Sequence, residues 1–429
     1  MMKTLYSMAL LAGLSSAAWA QFRPAIPDPQ GVDFDPAGVM KLRTTEKDSR
    51  LADLRKAAAG KEKDAGMAYI SLPRLFAEAR QCFESGQPLP ERIRYLGGMV
   101  KLQFIFVYPD EGDLVIAGPC EPFDAKVPFR PLGLYTLRPV LQLDDLVVAL
   151  RSCAKNIPGR IGCDIEVTQE IVDRCQAKLK ELTPKAAELG GKKVADAIAD
   201  AGGNQAIIYY AVAEDSRFAF VCAEADYLLK QLALGLFKSP VSKVKSYQSL
   251  QTKPERHHRF SLDTHYEAIV ASADGNAIEL QGPSLKINSG LLRRLGQQEG
   301  EMSDAAKQFM TSCNKHFAEM CRHILSWADL ANLSDLTVLA ALIGKDRLDT
   351  RAKWNMSWVL DPKGYTVTPV VPARFAHRLC NHHYAGNMLI FTHGGVLLNP
   401  GEWVSHLKKD EEGKLKRPDR PDGSIVTPK

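Results

Sequence analysis

The chain has 429 residues, 45% hydrophobic and 24% charged, a composition that excludes a disordered or fibrous protein and leaves room for two or three ordinary domains. Its formal charge of +5 is spread over interspersed Lys/Arg and Asp/Glu, with no basic stripe interleaved with aromatics, so nucleic acid is not an expected partner. Nine cysteines without a CxxC pair exclude a dense disulfide scaffold, a zinc ribbon and a thioredoxin-like motif. An odd count leaves at least one thiol unpaired within the chain, while one or two disulfides fit an oxidising compartment.

From the N-terminus, Lys3 is followed by an apolar run from Leu5 to Leu14 and by Ala18-Trp19-Ala20, the pattern of a signal peptide over residues 1–20 with Gln21 as the mature N-terminus. The run is too short to span a bilayer, and no later run reads as a transmembrane span. Residues 21–66, rich first in Pro, Asp and Gly and then in charge and Ala, read as a linker or leader. Residues 407–429, with mixed charges and Pro/Gly punctuation, read as a disordered tail.

Between these segments, paired β-rich runs flank turn residues five times. The predicted hairpins cover residues 100–117, 206–223, 265–281, 356–370 and 388–398. Helices are predicted between them: residues 169–182 with Thr168 as N-cap, 185–201 ending at Gly202-Gly203, 224–236, and a long helix over 303–327. In the last, Ala306, Met310, Cys313, Phe317, Met320, Ile324 and Trp327 form one apolar seam. Hairpins interleaved with amphipathic helices give an α+β fold. A polar stretch at residues 251–259 suggests two α+β domains, 67–255 and 256–406.

The order of several pieces resembles a domain family of unknown function found in exported bacterial proteins. The pieces are Phe104-Ile105-Phe106-Val107-Tyr108-Pro109, then Pro139-Val140-Leu141-Gln142-Leu143-Asp144-Asp145-Leu146, then Gly162-Cys163-Asp164-Ile165. They continue with Ala225-Asp226-Tyr227, Lys230 and Gly235-Leu236, then His265-Tyr266-Glu267-Ala268-Ile269 and Leu330-Ala331-Asn332-Leu333-Ser334-Asp335-Leu336. The resemblance spans roughly residues 95–345. The family usually has a Met soon after the Tyr, where this chain has Leu228-Leu229. It implies export and a shared fold, and it assigns no catalytic residue.

The chain carries no GxGxxG, Walker loop, HExxH or GxSxG. Phe391-Thr392-His393-Gly394-Gly395 looks like an esterase oxyanion loop but lacks a downstream nucleophile elbow, and is read as a hairpin turn. The Ser-x-x-Lys matches at Ser242 to Lys245 and Ser312 to Lys315 are what chance provides. His377, Cys380, His382 and His383 could supply N and S ligands to a divalent transition metal such as zinc or copper, with His393 and His406 near in sequence; Arg374 and Arg378 oppose this with like charge. His316, Glu319 and His323 share a helical stripe that could do the same. Asp144-Asp145 reads as first-turn acids of a helix, and Asp226 with Lys230 as an i, i+4 pair. The expected function is that of a non-enzymatic envelope or extracellular protein binding other macromolecules. A metal-binding protein or metal-dependent hydrolase using the histidine cluster is the alternative, and a hydrolase built from scattered carboxylates the third reading.

Overall fold

A computed structural model describes residues 31–42, 49–61, 65–126, 129–252, 258–291, 302–383, 388–391 and 393–428. The signal-like segment at residues 1–20 lies outside them. The fold is α+β, with two large mixed sheets and several covering helices.

The first sheet has eight strands, in the order Val32–Phe34, Val39–Leu42, Phe375–His377, Asn204–Tyr210, Ile161–Ile165, His393–Leu398, His258–His265 and Ser284–Leu291. Most neighbours are antiparallel; Phe375–His377 runs parallel to Val39–Leu42, and His258–His265 parallel to His393–Leu398. The seven-stranded sheet runs Lys408–Lys409, Ala268–Ala271, Ala277–Gln281, Phe104–Tyr108, Asp113–Cys120, Gly66–Ser71 and Ile425–Val426. Each sheet takes strands from both sides of residue 255, so the two-domain division gives way to one interleaved framework. The leader is also partly structural, because Val32–Phe34 and Val39–Leu42 form a sheet edge and Ser49–Ala58 is a helix.

Two predicted hairpins are present: Phe104–Tyr108 with Asp113–Cys120, and Ala268–Ala271 with Ala277–Gln281. The other three are not. Asn204–Tyr210 is a strand, but Arg217–Ala233 is a helix whose N-cap Ser216 accepts from the Ala219 N–H at 3.1 Å. Every residue of that helix is buried, so its sequence has no amphipathic period to betray it. Residues 357–360 form a helical turn rather than an arm. Met388–Ile390 pairs with Asn381–His383, while His393–Leu398 enters the large sheet between Ile161–Ile165 and His258–His265. The His393-Gly394-Gly395 piece is thus strand, not turn. A Cβ at Gly394 would lie 1.7 Å from the Phe260 carbonyl oxygen, and one at Gly395 2.3 Å from that of Cys163, so glycine permits the close strand approach.

The predicted long helix is three: Asp304–Lys315, Phe317–His323 and Leu325–Asp346, broken at His316 and at Ile324 (φ −105°, ψ 86°). The chain folds back there, stacking Phe317 on Trp327 at 5.8 Å. Its seam survives the breaks: Ala306, Cys313, Phe317, Met320, Ile324 and Trp327 are all buried, and Met310 is half-buried. Helix Leu325–Asp346 is long and apolar enough to cross a membrane by length and composition, contrary to the expectation from the sequence. Here 94% of its apolar window is buried, and it packs against helices Leu143–Cys153 and Arg217–Ala233. All nine cysteines are free thiols.

Residues 407–428 are also ordered into the fold. Lys408–Lys409 pairs with Ala268–Ala271 at one edge of the seven-stranded sheet, and Ile425–Val426 pairs with Gly66–Ser71 at the other. Between them Leu415 packs on the cluster of Phe106, Tyr108, Val115 and Ala117, and Arg417 lies over the Tyr108 ring at 4.5 Å. The Tyr108 hydroxyl donates to the Pro418 carbonyl at 2.9 Å, and Arg74 to that of Pro421 at 2.7 Å. Deleting residues 418–429 should therefore lower the thermal midpoint by a few degrees in a melting experiment. An unchanged midpoint would mean a tail that contributes nothing.

Candidate functional site

Two buried polar constellations in this framework differ in whether their arginines are matched by acids. The first joins helices Leu143–Cys153, Arg217–Ala233 and Leu325–Asp346 through Arg130 and Arg217. Arg130 donates to Glu224 at 2.6 Å and to Asp329 at 2.8 Å; Arg217 pairs with Asp145 and Asp329 and lies over the Phe129 ring at 5.2 Å. All five charged side chains are at most 6% exposed. Burial raises the Asp145 carboxyl to about 7; Arg217 opposes the rise and Asp329 adds to it. With Asp145 protonated, two cations face two carboxylates. The Asp144-Asp145 pair thus does more than favour a helix N-terminus: Asp144 accepts from the Tyr365 hydroxyl at 2.7 Å and the Thr368 N–H at 3.1 Å, binding a distant loop.

The second constellation lines a narrow cleft of about 20 Å³ in the large sheet. One wall carries Asp164, Ile165, Gln205, Tyr227 and Lys230; the other carries His377, Arg378, Leu379, Phe391, His393 and Gly394. Asp164 is occupied by Arg160 at 3.2 Å and by Arg259. Lys230 forms the expected pair with Asp226, both buried. Burial pushes the Asp226 carboxyl up, opposed by Lys230. His377 Nδ1 lies 3.3 Å from Asn204 Oδ1, and its Nε2 3.4 Å from Asp200.

Arg378 is different. It is 8% exposed, yet its Nε and Nη1 have no hydrogen-bond partner. Its backbone N–H donates to the Gly203 carbonyl at 2.9 Å, and its guanidinium lies over the Phe391 ring at 4.8 Å. The side chain rests on the Gly202 backbone, where a Cβ would fall 2.2 Å from Arg378 Cδ. Buried polar groups are nearly always satisfied, so unused N–H groups on a cleft wall are a site for an acceptor.

The predicted metal ligands do not converge. Among the described residues no group of three His, Cys, Asp or Glu side chains is placed to hold a metal ion. Cys380 packs in a small apolar cluster with Cys175, Val194, Ala195 and Ile198, and burial raises its thiol to about 12. His382 has a buried Nδ1 without a partner, while its carbonyl accepts from Gln248 at 2.7 Å. His383 follows it in strand Asn381–His383, and its side chain is outside the described set. In the second proposed stripe, His316 pairs with Glu319 at 3.4 Å, but it sits at the break between two helices, not on one continuous helix with Glu319 and His323. The sequence showed Arg378 only as a charge unfavourable to a metal. The burial that turns it into a candidate anion site comes from residues far along the chain.

Residues 163–247 match a family described as a protein of unknown function, DUF1598. The match covers the middle of the stretch 95–345 that carried the resemblance and includes two of its pieces, those around Asp164 and Asp226. No curated protein and no solved structure matches the chain. The DUF1598 segment builds one wall of the cleft and residues 377–394 the other.

Because the Asp145 carboxyl is raised, the folded state holds a proton that the unfolded chain releases near pH 4. The stability that this group contributes is full below about pH 4 and is lost as pH rises through about 7. Asp145→Asn removes that titration. In denaturant unfolding its destabilisation relative to the native sequence should be smaller at about pH 8 than at about pH 5. An equal or larger cost at the higher pH would show that Asp145 is ionised throughout.

Proposed function

We propose that this chain is a non-enzymatic binding protein of the envelope or extracellular space that holds an anionic group of its partner on Arg378. The observation that carries the reading is the pair of unused N–H groups, Nε and Nη1, on a side chain only 8% exposed in a cleft wall. The neighbouring charges are already matched, Lys230 by Asp226 and Asp164 by Arg160 and Arg259, so Arg378 is the cleft cation left to recruit an anion. A guanidinium in a desolvated setting favours a carboxylate or phosphate oxygen, with charge-assisted bonds roughly twice as strong as neutral ones. The cleft's interior of about 20 Å³ admits a single oxygen of such a group, the rest of a larger molecule lying outside it.

A melting titration with acetate and with inorganic phosphate tests the site, since a ligand bound only to the folded state raises the midpoint with its concentration. The native protein should respond to at least one of them. Arg378→Met should melt at the same or a higher temperature without anion, because an unsatisfied buried charge is replaced by an apolar chain, and should lose the response. Gly202→Ala should weaken the response by displacing the arginine. A response that Arg378→Met leaves intact would place anion binding elsewhere, and no response at all would leave water as the partner of Arg378.

Export rests on Lys3, the apolar run from Leu5 to Leu14 and Ala18-Trp19-Ala20. Terminal sequencing of the protein from an exported fraction should begin at Gln21. An intact Met1 there would overturn cleavage after Ala20.

A further inference from the structure

The stretches Ser242 to Lys245 and Ser312 to Lys315, far apart in sequence, meet at one place on the surface. Lys245 and Lys315, with Lys243 and Lys307, line an open depression of about 500 Å³ between helix Asp304–Lys315 and the segment entering helix Tyr247–Leu250. Ser312 also lines it, but its hydroxyl donates to the Phe309 carbonyl at 3.0 Å and is turned onto its own helix. What the motifs bring together is therefore charge. Lys307 and Lys315 sit two helical turns apart on one face, about 12 Å along the axis, and Lys243 and Lys245 stand on the opposite wall.

Among the described residues no acidic residue lines the depression, and none of the four ammonium groups is in an ion pair. Some surface lysines elsewhere are neutralised locally, as Lys178 is by Glu181 and Lys192 by Asp196. Four like charges around one concavity repel each other and concentrate counter-anions. Binding one multivalent anion relieves that repulsion and releases the small counterions.

We propose that this depression binds a linear acidic polysaccharide, independently of the Arg378 cleft. Charges on two facing walls fit a chain lying between them, whereas a flat bilayer surface does not enter a concavity. Among the described residues the lining contains no aromatic ring, so a single-stranded nucleic acid would find no platform there for base stacking. Lysine ammonium groups act as point charges without a fixed fork, which suits a charged polymer read by its charge spacing.

The test is binding of a fluorescent heparin-derived octasaccharide to the full-length protein, read by anisotropy over a series of salt concentrations. The expected result is binding at low salt that weakens as salt rises, with a log–log slope of about −3 for four contacts. Lys307→Glu with Lys315→Glu should weaken low-salt binding at least about tenfold and reduce the slope by about 2. Lys307→Gln with Lys315→Gln checks the same sites without charge reversal, and circular dichroism confirms the fold of both. Lys178→Glu with Lys192→Glu makes the same change in net charge elsewhere and should leave the slope unchanged; neutral dextran should not bind. The proposal is overturned by absence of low-salt binding, by equal losses in the control variant, or by tighter binding of oligothymidylate.

Discussion

Five charged side chains with almost no solvent contact hold the centre of this molecule together. Arg130 and Arg217 tie Asp145, Glu224 and Asp329, one acid from each of three core helices, into a single network. Helices Arg217–Ala233 and Leu325–Asp346 are buried on every face over most of their length, so apolar packing alone leaves their rotation and axial position weakly specified. A buried charge must meet its partner or cost several kcal/mol, roughly 3–5 when one member of a pair is removed. The network therefore sets the register of the helices against which the sheets pack.

The Arg378 cleft is organised by the opposite logic. In the core network the arginines are matched and closed off; at the cleft wall an equally buried arginine has N–H groups left over. The surrounding acids are committed elsewhere, and the glycine beneath Arg378 lets its stem lie flat against the end of a helix. Unsatisfied buried polarity lowers stability, and such costs persist where binding recovers them.

What the sequence disclosed depended on how local the signal was. Helix Gln169–Leu182 was legible with its boundaries because Thr168 caps it, accepting from the Ile171 N–H at 3.3 Å, and because one face is solvated. Residues 218–223 were misread as a strand, although the helix was read from residue 224 on, because an all-round apolar run has no helical period, and because Glu214-Asp215-Ser216 serves a turn or an N-cap equally well. The seam from Ala306 to Trp327 was legible, but its breaks at His316 and Ile324 involve neither glycine nor proline and are imposed by packing. The pair Asp226–Lys230 could be read from its spacing. The cleft around it could not, since its walls come from segments separated by well over a hundred residues and meet only through sheet pairing.

The last two short strands also bear on when the fold can finish. Lys408–Lys409 and Ile425–Val426 close opposite edges of the same sheet, and both belong to the final stretch of the chain. Until translation has delivered that stretch, both sheet edges stay unpaired and the aromatic patch around Phe106 and Tyr108 stays uncovered. Long-range pairings of this sort raise contact order and slow folding. A product that stops before residue 408 therefore offers two open sheet edges to any other strand, and synthesis through residue 426 closes both.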